Sequence, residues 1–185
     1  PCSDFEVDLW GQCYNIQETT TLNLRWSNLS GEIPPEIGLL ENLEQLFLLG
    51  NNLTGQIPDE IGNLTNLTLL EFSDNSLSGS IPTSIGNLLQ LDEFYAYGNE
   101  LSGQIPSSIG NLVNLSILEL QDNELSGSIP TSIGNLTGLH KIFIYNNQLS
   151  GELPTEIYNL VNLEYFWIHD NQFTGSIDEQ ICALN

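Results

Sequence analysis

The sequence predicts a repeat solenoid, and three observations support this fold class. The 185-residue chain matches itself every 24 residues over seven units, which leaves only residues 1–18 outside the repeat. Aliphatic residues recur at fixed places in every unit, and an asparagine recurs in six of them. A unit of this length cannot bury its apolar residues alone, so neighbouring coils are expected to cover one another. The units span 19–42, 43–66, 67–90, 91–114, 115–138, 139–162 and 163–185.

Two columns of apolar residues predict the core of the stack. One column consists of Leu22, Leu46, Leu70, Phe94, Leu118, Ile142 and Phe166. The other consists of Ile33, Ile57, Ile81, Ile105, Ile129, Leu153 and Ile177. Each buried side chain of this kind contributes roughly 1.5–3 kcal/mol before chain entropy is subtracted. The stability of the stack is therefore expected to accumulate along the chain.

Three recurring residue types predict where each coil turns. The asparagine follows the strand, and its amide is expected to bond backbone groups of adjacent turns. A glycine such as Gly103 reaches backbone angles that other residues avoid, and a proline such as Pro106 fixes φ at the second bend. The end units differ, because Thr19 replaces the leucine of later units and Asp178 replaces the proline of earlier ones. Such changes are typical of terminal capping units.

Most units carry a variant of the segment Leu101-Ser102-Gly103-Gln104-Ile105-Pro106. This segment resembles the plant-type leucine-rich repeat of receptor-kinase ectodomains and polygalacturonase-inhibiting proteins, and the resemblance covers about nine tenths of the chain. It implies an α/β-type repeat solenoid, a right-handed curved superhelix with a parallel β-sheet on the concave face. The convex face would carry 3₁₀ turns and loops, and a second short strand often follows the main one.

Residues 1–18 are similar to the N-terminal cap of the same family, although they are shorter and lack its paired Cys-Cys start. The resemblance implies a disulfide between Cys2 and Cys13, which agrees with an oxidising, extracellular compartment. Such a bridge would contribute on the order of 2–3 kcal/mol, and Trp10 could cover the open end of the first coil. Cys182 is left over. It is either a small buried residue in a position that usually holds glycine or half of a C-terminal cap bridge.

The charge balance narrows the classes of partner. Acidic residues outnumber basic ones by 24 to 2, which gives a formal net charge of −22. Such a chain repels nucleic acid and anionic lipid, so neither is an expected partner. The balance is explained by solubility or a salty habitat, as in acidic repeat proteins of marine microbes, or by a cationic ligand. The sequence contains no membrane-spanning run and begins without a signal-peptide pattern, so a secreted or cell-surface protein would be present in processed form.

Strand alternation predicts which side chains project from the concave sheet. The residues between the two core positions of each strand are Asn23, Phe47, Glu71, Tyr95, Glu119, Phe143 and Trp167. The residues two positions later are Arg25, Leu49, Ser73, Tyr97, Gln121, Tyr145 and His169. Aromatic residues dominate both columns. One exposed aromatic residue is explained by cross-strand packing, whereas a contiguous stripe of them favours a binding site.

We therefore predict a ligand-binding concave face without cofactor or metal. Its predicted residues are Trp26, Phe47, Glu71, Asp74, Tyr95, Tyr97, Glu119, Asp122, Phe143, Tyr145, Tyr165, Trp167 and His169. Aromatic residues recur in alternate units, about 9.6 Å apart for strands spaced about 4.8 Å, although recent duplication of paired units also explains this period. The spacing suits an extended ligand, so the expected partner is a protein, peptide or polysaccharide that is cationic or rich in hydroxyl groups.

Enzyme activity is not expected. Glu71 and Glu119 flank Tyr95 at a separation typical of inverting glycosidases, but a flat face offers no cleft to raise the pKa of one acid. Asp74 and Asp122 lie two coils apart, which is too far for them to share a metal ion.

Two further interpretations remain open. A hydroxyl ladder on the opposite side resembles ice-binding faces, and it consists of Thr83, Ser84, Ser107, Ser108, Thr131, Ser132 and Thr155. Acidic residues interrupt it, namely Asp59, Glu60, Glu156 and Glu179. Alternatively, the chain is an adhesion or spacer segment of a larger surface protein. Glycosylation sequons occur at Asn28, Asn52, Asn63, Asn66, Asn114 and Asn135, and they arise largely from the repeat itself.

Overall fold

The N-terminal segment of the chain forms an antiparallel hairpin. The computed structural model describes residues 2–176. In it, β1 (Glu6–Leu9) pairs with β2 (Gln12–Asn15). The two connecting residues, Trp10 and Gly11, have φ angles of 52° and 81°, as a tight two-residue hairpin turn requires.

The hairpin packs against the first coil of the solenoid. Cys2 and Cys13 form a disulfide, with their Cα atoms 5.5 Å apart. Leu9 is fully buried in the hydrophobic core, and Trp10 packs against that core. The Trp10 indole Nε1 also donates a hydrogen bond to the carbonyl oxygen of Glu32, 3.2 Å away. The hairpin therefore joins the apolar interior of the repeats at their N-terminal end.

Each following coil contributes two short strands. The first strands are β3 (Thr21–Asn23), β5 (Gln45–Phe47), β7 (Leu69–Glu71), β9 (Glu93–Tyr95), β11 (Ile117–Glu119), β13 (Lys141–Phe143) and β15 (Tyr165–Trp167). The second strands are β4 (Ser30–Gly31), β6 (Asn52–Gly55), β8 (Ser76–Gly79), β10 (Glu100–Gly103), β12 (Glu124–Gly127), β14 (Gln148–Gly151) and β16 (Gln172–Phe173). Each set forms a parallel sheet in which consecutive coils are neighbours.

A 3₁₀ helix follows the second strand in six coils of the described chain. These helices are η1 (Pro35–Leu39), η2 (Asp59–Asn63), η3 (Thr83–Asn87), η4 (Ser107–Asn111), η5 (Thr131–Asn135) and η6 (Thr155–Asn159). The predicted solenoid is thus confirmed, with the main sheet on the concave face and 3₁₀ helices on the convex face. Residues 2–176 contain no α-helix, and none of their helices is long and apolar enough to cross a bilayer.

The predicted core columns lie inside the coils. Every residue of the column from Leu22 to Phe166 is buried, as are the residues from Ile33 to Ile129 in the second column. Leu153 is partly buried, and Ile177 lies outside the described residues. The predictions for Asp178 and Cys182 also fall outside them.

The asparagine column joins neighbouring coils through backbone hydrogen bonds. Asn123 is representative: its Oδ1 accepts from the N–H of Leu101 at 3.0 Å. Its Nδ2 donates to the carbonyl oxygens of Ala96 at 2.9 Å and Leu120 at 3.1 Å. The same pattern recurs from Asn51 onwards, which confirms the expected role of this residue.

The backbone turns into the left-handed region three residues after the end of each main strand. The residues with positive φ at this position are Trp26, Gly50, Asp74, Gly98, Asp122, Asn146 and Asp170. Glycine, asparagine and aspartate tolerate this conformation better than other residues do. The conformation therefore explains the composition of this column in every unit except the first, where Trp26 occupies it.

Candidate ligand-binding face

The concave face is built from three outward columns of the main sheet. They are the residue before the first core position of each strand, the residue between the two core positions, and the residue two places later. The left-handed column borders them along one edge. Because every strand is hydrogen-bonded to its neighbours in register, these side chains stand on a fixed backbone.

The N-terminal third of the face is closed by an arginine. The guanidinium of Arg25 lies 3.9 Å from the centre of the Phe47 ring, and its Nε is 2.5 Å from a carboxylate oxygen of Glu71. As a result Phe47 is only 8% exposed and Glu71 only 7%. The predicted exposure of both side chains is therefore wrong, because Arg25 extends across two coils and covers them. Ser73 is also buried, contrary to expectation.

The middle of the face holds two half-buried tyrosines among carboxylates. The hydroxyl of Tyr95 donates to Oε2 of Glu93 at 2.6 Å. Burial raises the pKa of Tyr95 far above its ordinary value, and the neighbouring carboxylates, Glu93 first, raise it further. Burial and then the charge of Asp74 also raise the pKa of Tyr97. Both phenols are therefore neutral hydrogen-bonding groups in an acidic environment.

The acidic edge of the face runs through the left-handed column. A side chain on Gly98 would lie 2.6 Å from Oδ1 of Asp74, so the Asp74 carboxylate extends over this glycine. Burial raises the pKa of Asp74, and the charge of Asp122 raises it further. Asp122 in turn accepts a hydrogen bond from Nδ2 of Asn146 at 2.6 Å. Among residues 2–176, no group of three or more His, Cys, Asp or Glu side chains is placed to hold a metal ion.

The C-terminal third of the face is an open aromatic patch formed by Phe143, Tyr145, Tyr165, Trp167 and His169. Phe143 stacks on Trp167, with ring centres 4.2 Å apart and planes 11° apart. Tyr145 stacks on His169, with ring centres 4.6 Å apart and planes 7° apart. Trp167 and Tyr165 each remain 42% exposed. The structure thus brings these five predicted residues together on one surface.

Two concave residues with a clear position were missed by sequence reasoning. Lys141 lies 5.1 Å from the centre of the Phe143 ring and 3.4 Å from a carboxylate oxygen of Glu119. The carboxylate of Glu93 accepts a hydrogen bond from the Tyr95 hydroxyl. Both occupy the position before the first core residue of a strand, which strand alternation also turns outward. Gln121 was expected at the surface but is buried.

These positions determine what the face can do chemically. Glu71 and Glu119 each pair with a basic side chain, so neither is free to act as an acid or base beside Tyr95. Towards the C-terminal end, the exposed or half-buried groups include aromatic rings, neutral phenols and carboxylates. Such groups can pack against apolar side chains and hold cationic ones.

The repeat segments match a known family along almost the whole chain. The model of the Leucine Rich Repeat family matches residues 18–40, 42–64, 66–88, 90–112, 114–136, 138–160 and 162–184. The chain belongs to the leucine-rich repeat family. No curated protein was found to match it in sequence.

Solved leucine-rich repeat structures support the plant-type assignment. The plant peptide hormone receptor RGFR1, solved in complex with RGF2, is 40% identical with a TM-score of 0.85, over 88% of this chain and 26% of the receptor chain. The Arabidopsis receptor kinase HAESA ectodomain, solved with an IDA peptide hormone ligand, is 38% identical with a TM-score of 0.81, over 85% and 27%. A leucine-rich repeat protein of Leptospira interrogans is 34% identical with a TM-score of 0.76, over 91% and 41%. The chain therefore spans about a quarter of the two receptor chains.

The hydroxyl ladder on the convex side of the leucine-rich repeats exposes fewer hydroxyl groups than expected. Thr83 and Thr131 are exposed at the start of their 3₁₀ helices. The hydroxyls of Ser84 and Ser108 are buried and have no hydrogen-bond partner within the described chain. The Ser132 hydroxyl instead donates to the carbonyl oxygen of Ser107 at 2.7 Å.

Proposed function

We propose that this chain is an extracellular, non-enzymatic recognition module that binds a protein or peptide on its concave face. The similar receptors RGFR1 and HAESA were solved with RGF2 and with an IDA peptide hormone, which supports a peptide as the class of ligand. The disulfide of the N-terminal hairpin supports an oxidising, extracellular setting.

The observation that carries this proposal is the open aromatic patch beside the acidic middle of the face. Exposed aromatic surface of this kind favours association, because it removes a large apolar area from water at little cost in side-chain entropy. Next to it lie the phenols of Tyr95 and Tyr97 and the carboxylates of Asp74 and Asp122. An extended peptide with an apolar anchor and a basic side chain a few residues away would contact both regions.

The ring contacts favour a peptide over a polysaccharide. Sugar rings pack on the faces of aromatic rings, and the faces of Phe47 and Phe143 are covered here. Arg25 covers Phe47, while Lys141 and Trp167 both lie over Phe143. Trp167 and Tyr165 stay 42% exposed, and their surfaces suit the aliphatic and aromatic side chains of a peptide.

A synthetic peptide library screened against the immobilised chain tests the proposal. We expect extended peptides that combine an apolar residue with lysine or arginine to bind. Their affinity should fall at least about tenfold for Trp167→Ala and for Tyr145→Ala, as for residues at the centre of an interface. Tyr158→Ala is the matched control, because Tyr158 is also 42% exposed but lies in the convex helix η6. Peptides that bind all three variants equally, or a screen without binders, would contradict the proposal.

A second candidate function is a structural or adhesion segment of a larger surface protein. It is favoured by the chain covering only 26% and 27% of the two receptor chains. A full-length gene with further domains and a concave face without any ligand would support it. Ice binding is a weaker candidate, because the hydroxyl oxygens of Ser84 and Ser108 are buried and leave fewer hydroxyls exposed on their coils. The absence of thermal hysteresis would exclude it.

A further inference from the structure

Trp26 is an exposed indole held in an unfavourable backbone conformation. Its side chain is 69% exposed, and its φ angle is +53°. In the later coils the same position holds only glycine, aspartate or asparagine, which tolerate left-handed angles. A large aromatic residue gains nothing from this conformation itself, so the strained backbone at Trp26 points to a function at this site.

The indole of Trp26 lies flat on the next coil. A side chain added to Gly50 would overlap Cδ2, Cε3 and Cζ3 of the indole, which shows that the ring face rests on this glycine. The opposite ring face is turned to solvent. Trp26, which was predicted to belong to the concave face, therefore forms a flat aromatic platform at the edge of that face.

An asparagine lies two residues after Trp26 on the first coil and two residues after Gly50 on the second coil. Asn28, two residues after Trp26, also has a left-handed backbone, with a φ angle of 56°. Its Oδ1 accepts a hydrogen bond of 3.3 Å from Nδ2 of Asn52, which lies two residues after Gly50. The Nδ2 of Asn28 has no hydrogen-bond partner among residues 2–176. Asn28-Leu29-Ser30 is an acceptor sequence for N-linked glycosylation.

The other acceptor asparagines differ from Asn28. Asn66 and Asn114 donate Nδ2 to the carbonyl oxygens of Glu41 and Leu89, at 2.9 and 2.8 Å. These amides bridge consecutive coils. Asn63 is exposed and makes no such bond within the described part of the chain. However, no aromatic residue lies directly before it, because Ile61 and Gly62 occupy the two preceding positions. Asn28 alone combines a free amide nitrogen with an aromatic residue two positions earlier.

We propose that Asn28 is an N-glycosylation site and that Trp26 is the platform on which the first attached sugar packs. The apolar C–H face of an N-acetylhexosamine matches the open face of the indole. Covering the indole removes exposed apolar surface from water, so the sugar should stabilise the first coils. The inference rests on the proposed extracellular setting but not on the concave-face ligand.

The modification requires a lipid-linked oligosaccharide pyrophosphate as donor, supplied by a secretory pathway. Nδ2 of Asn28 forms a bond to C1 of the first sugar. The bond between C1 and the pyrophosphate oxygen breaks, and the lipid pyrophosphate leaves with the electron pair. The amide nitrogen loses one proton to a base of the transferase, so the product is a neutral secondary amide.

Secretion of the chain from eukaryotic cells, followed by peptide mass spectrometry, tests the first half of the proposal. We expect Asn28 to be occupied. Trimming the glycan to a single N-acetylglucosamine then allows a double-mutant cycle between the sugar and Trp26. The four proteins are the wild type, Asn28→Gln, Trp26→Ala and the double variant, and their melting temperatures are compared.

We expect the sugar on Asn28 to raise the melting temperature by about 2–4 °C when Trp26 is present and not in Trp26→Ala. The matched cycle with Asn63→Gln should show no coupling to Trp26. Comparing each pair within the cycle cancels any direct effect of Trp26→Ala on folding. The proposal is overturned if Asn28 is vacant while other sequons are occupied. It is also overturned if the shift persists in Trp26→Ala or if Asn52→Gln, not Asn28→Gln, abolishes it.

Discussion

Single asparagine side chains hold the coils of this protein together. Asn123 contacts four backbone groups on two coils, so removing its amide leaves buried N–H and C=O groups without partners. We expect Asn123→Ala to lower the free energy of unfolding by about 2–3 kcal/mol. Urea denaturation followed by circular dichroism measures this change. The exposed Gln90→Ala variant is the control, and a loss as small as that of the control would contradict the proposed role.

Arg25 determines which part of the concave face is closed. Arg25→Ala exposes the Phe47 ring and leaves Glu71 without its cation, so we expect a loss of about 1–2 kcal/mol in unfolding free energy. Arg25→Lys should restore only part of it, because an ammonium group cannot lie flat on the ring as guanidinium does. The double variant Arg25→Ala/Glu71→Gln should recover some stability in the same urea experiment. Equal stability of Arg25→Ala and the wild type would show that this contact is unimportant.

Residue directions on this face were predictable, but their exposure was not. The alternation of each strand places Tyr95, Tyr145 and Trp167 on the concave side, where the structure has them. It cannot show that Arg25 covers Glu71, because these two residues are 46 positions apart and meet only through the orientation of long side chains. Sequence periodicity therefore indicates the face of a residue, whereas covering by distant side chains depends on packing.

At the level of elements, the 3₁₀ helices stack so closely that glycine is required between them. A Cβ atom on Gly86 would lie 2.6 Å from Cβ of Ser108 in the next coil. Gly86→Ala should therefore separate the coils and lower the unfolding free energy by about 1–3 kcal/mol. Gly138→Ala is the matched control, because its nearest atom would be 3.6 Å away and its φ is not positive. Similar thermal unfolding of the two variants would contradict this view of the convex side.

The elements themselves were predicted with unequal success. The repeat period and the apolar columns predict the main strands and the core, because burial on one side of a short strand has a clear sequence pattern. The second sheet and the 3₁₀ helices were expected only from the family resemblance, since their segments are too short for periodicity. The left-handed column was not predicted, although glycine, aspartate and asparagine in one column are its usual signal.

The whole molecule carries far more negative than positive charge. With 24 acidic and 2 basic residues, repulsion among carboxylates outweighs the ion pairs of Arg25 and Lys141. We expect the melting temperature to rise as the salt concentration increases from about 10 mM to about 150 mM, because the Debye length falls from about 30 Å to about 8 Å. Differential scanning calorimetry in sodium chloride measures this shift. A melting temperature that falls over this range would show that attractive pairs dominate.

The concave face is uneven along the length of the molecule. Arg25 closes its N-terminal third, two tyrosines among carboxylates form its middle, and the aromatic patch opens its C-terminal third. A ligand should therefore contact the face from Asp74 of the third coil to β15 of the last coil, and leave the first two coils free. A basic side chain of the ligand would also reduce the repulsion among the carboxylates in the middle of the face.

Photo-crosslinking of a peptide from the library screen, followed by mass spectrometry, locates the bound ligand directly. We expect crosslinks on outward residues of strands β9–β15, above all beside Tyr145 and Trp167, and their loss when unlabelled peptide competes. Competed crosslinks that map instead to the 3₁₀ helices η1–η6 would place recognition on the convex side and contradict a concave binding face.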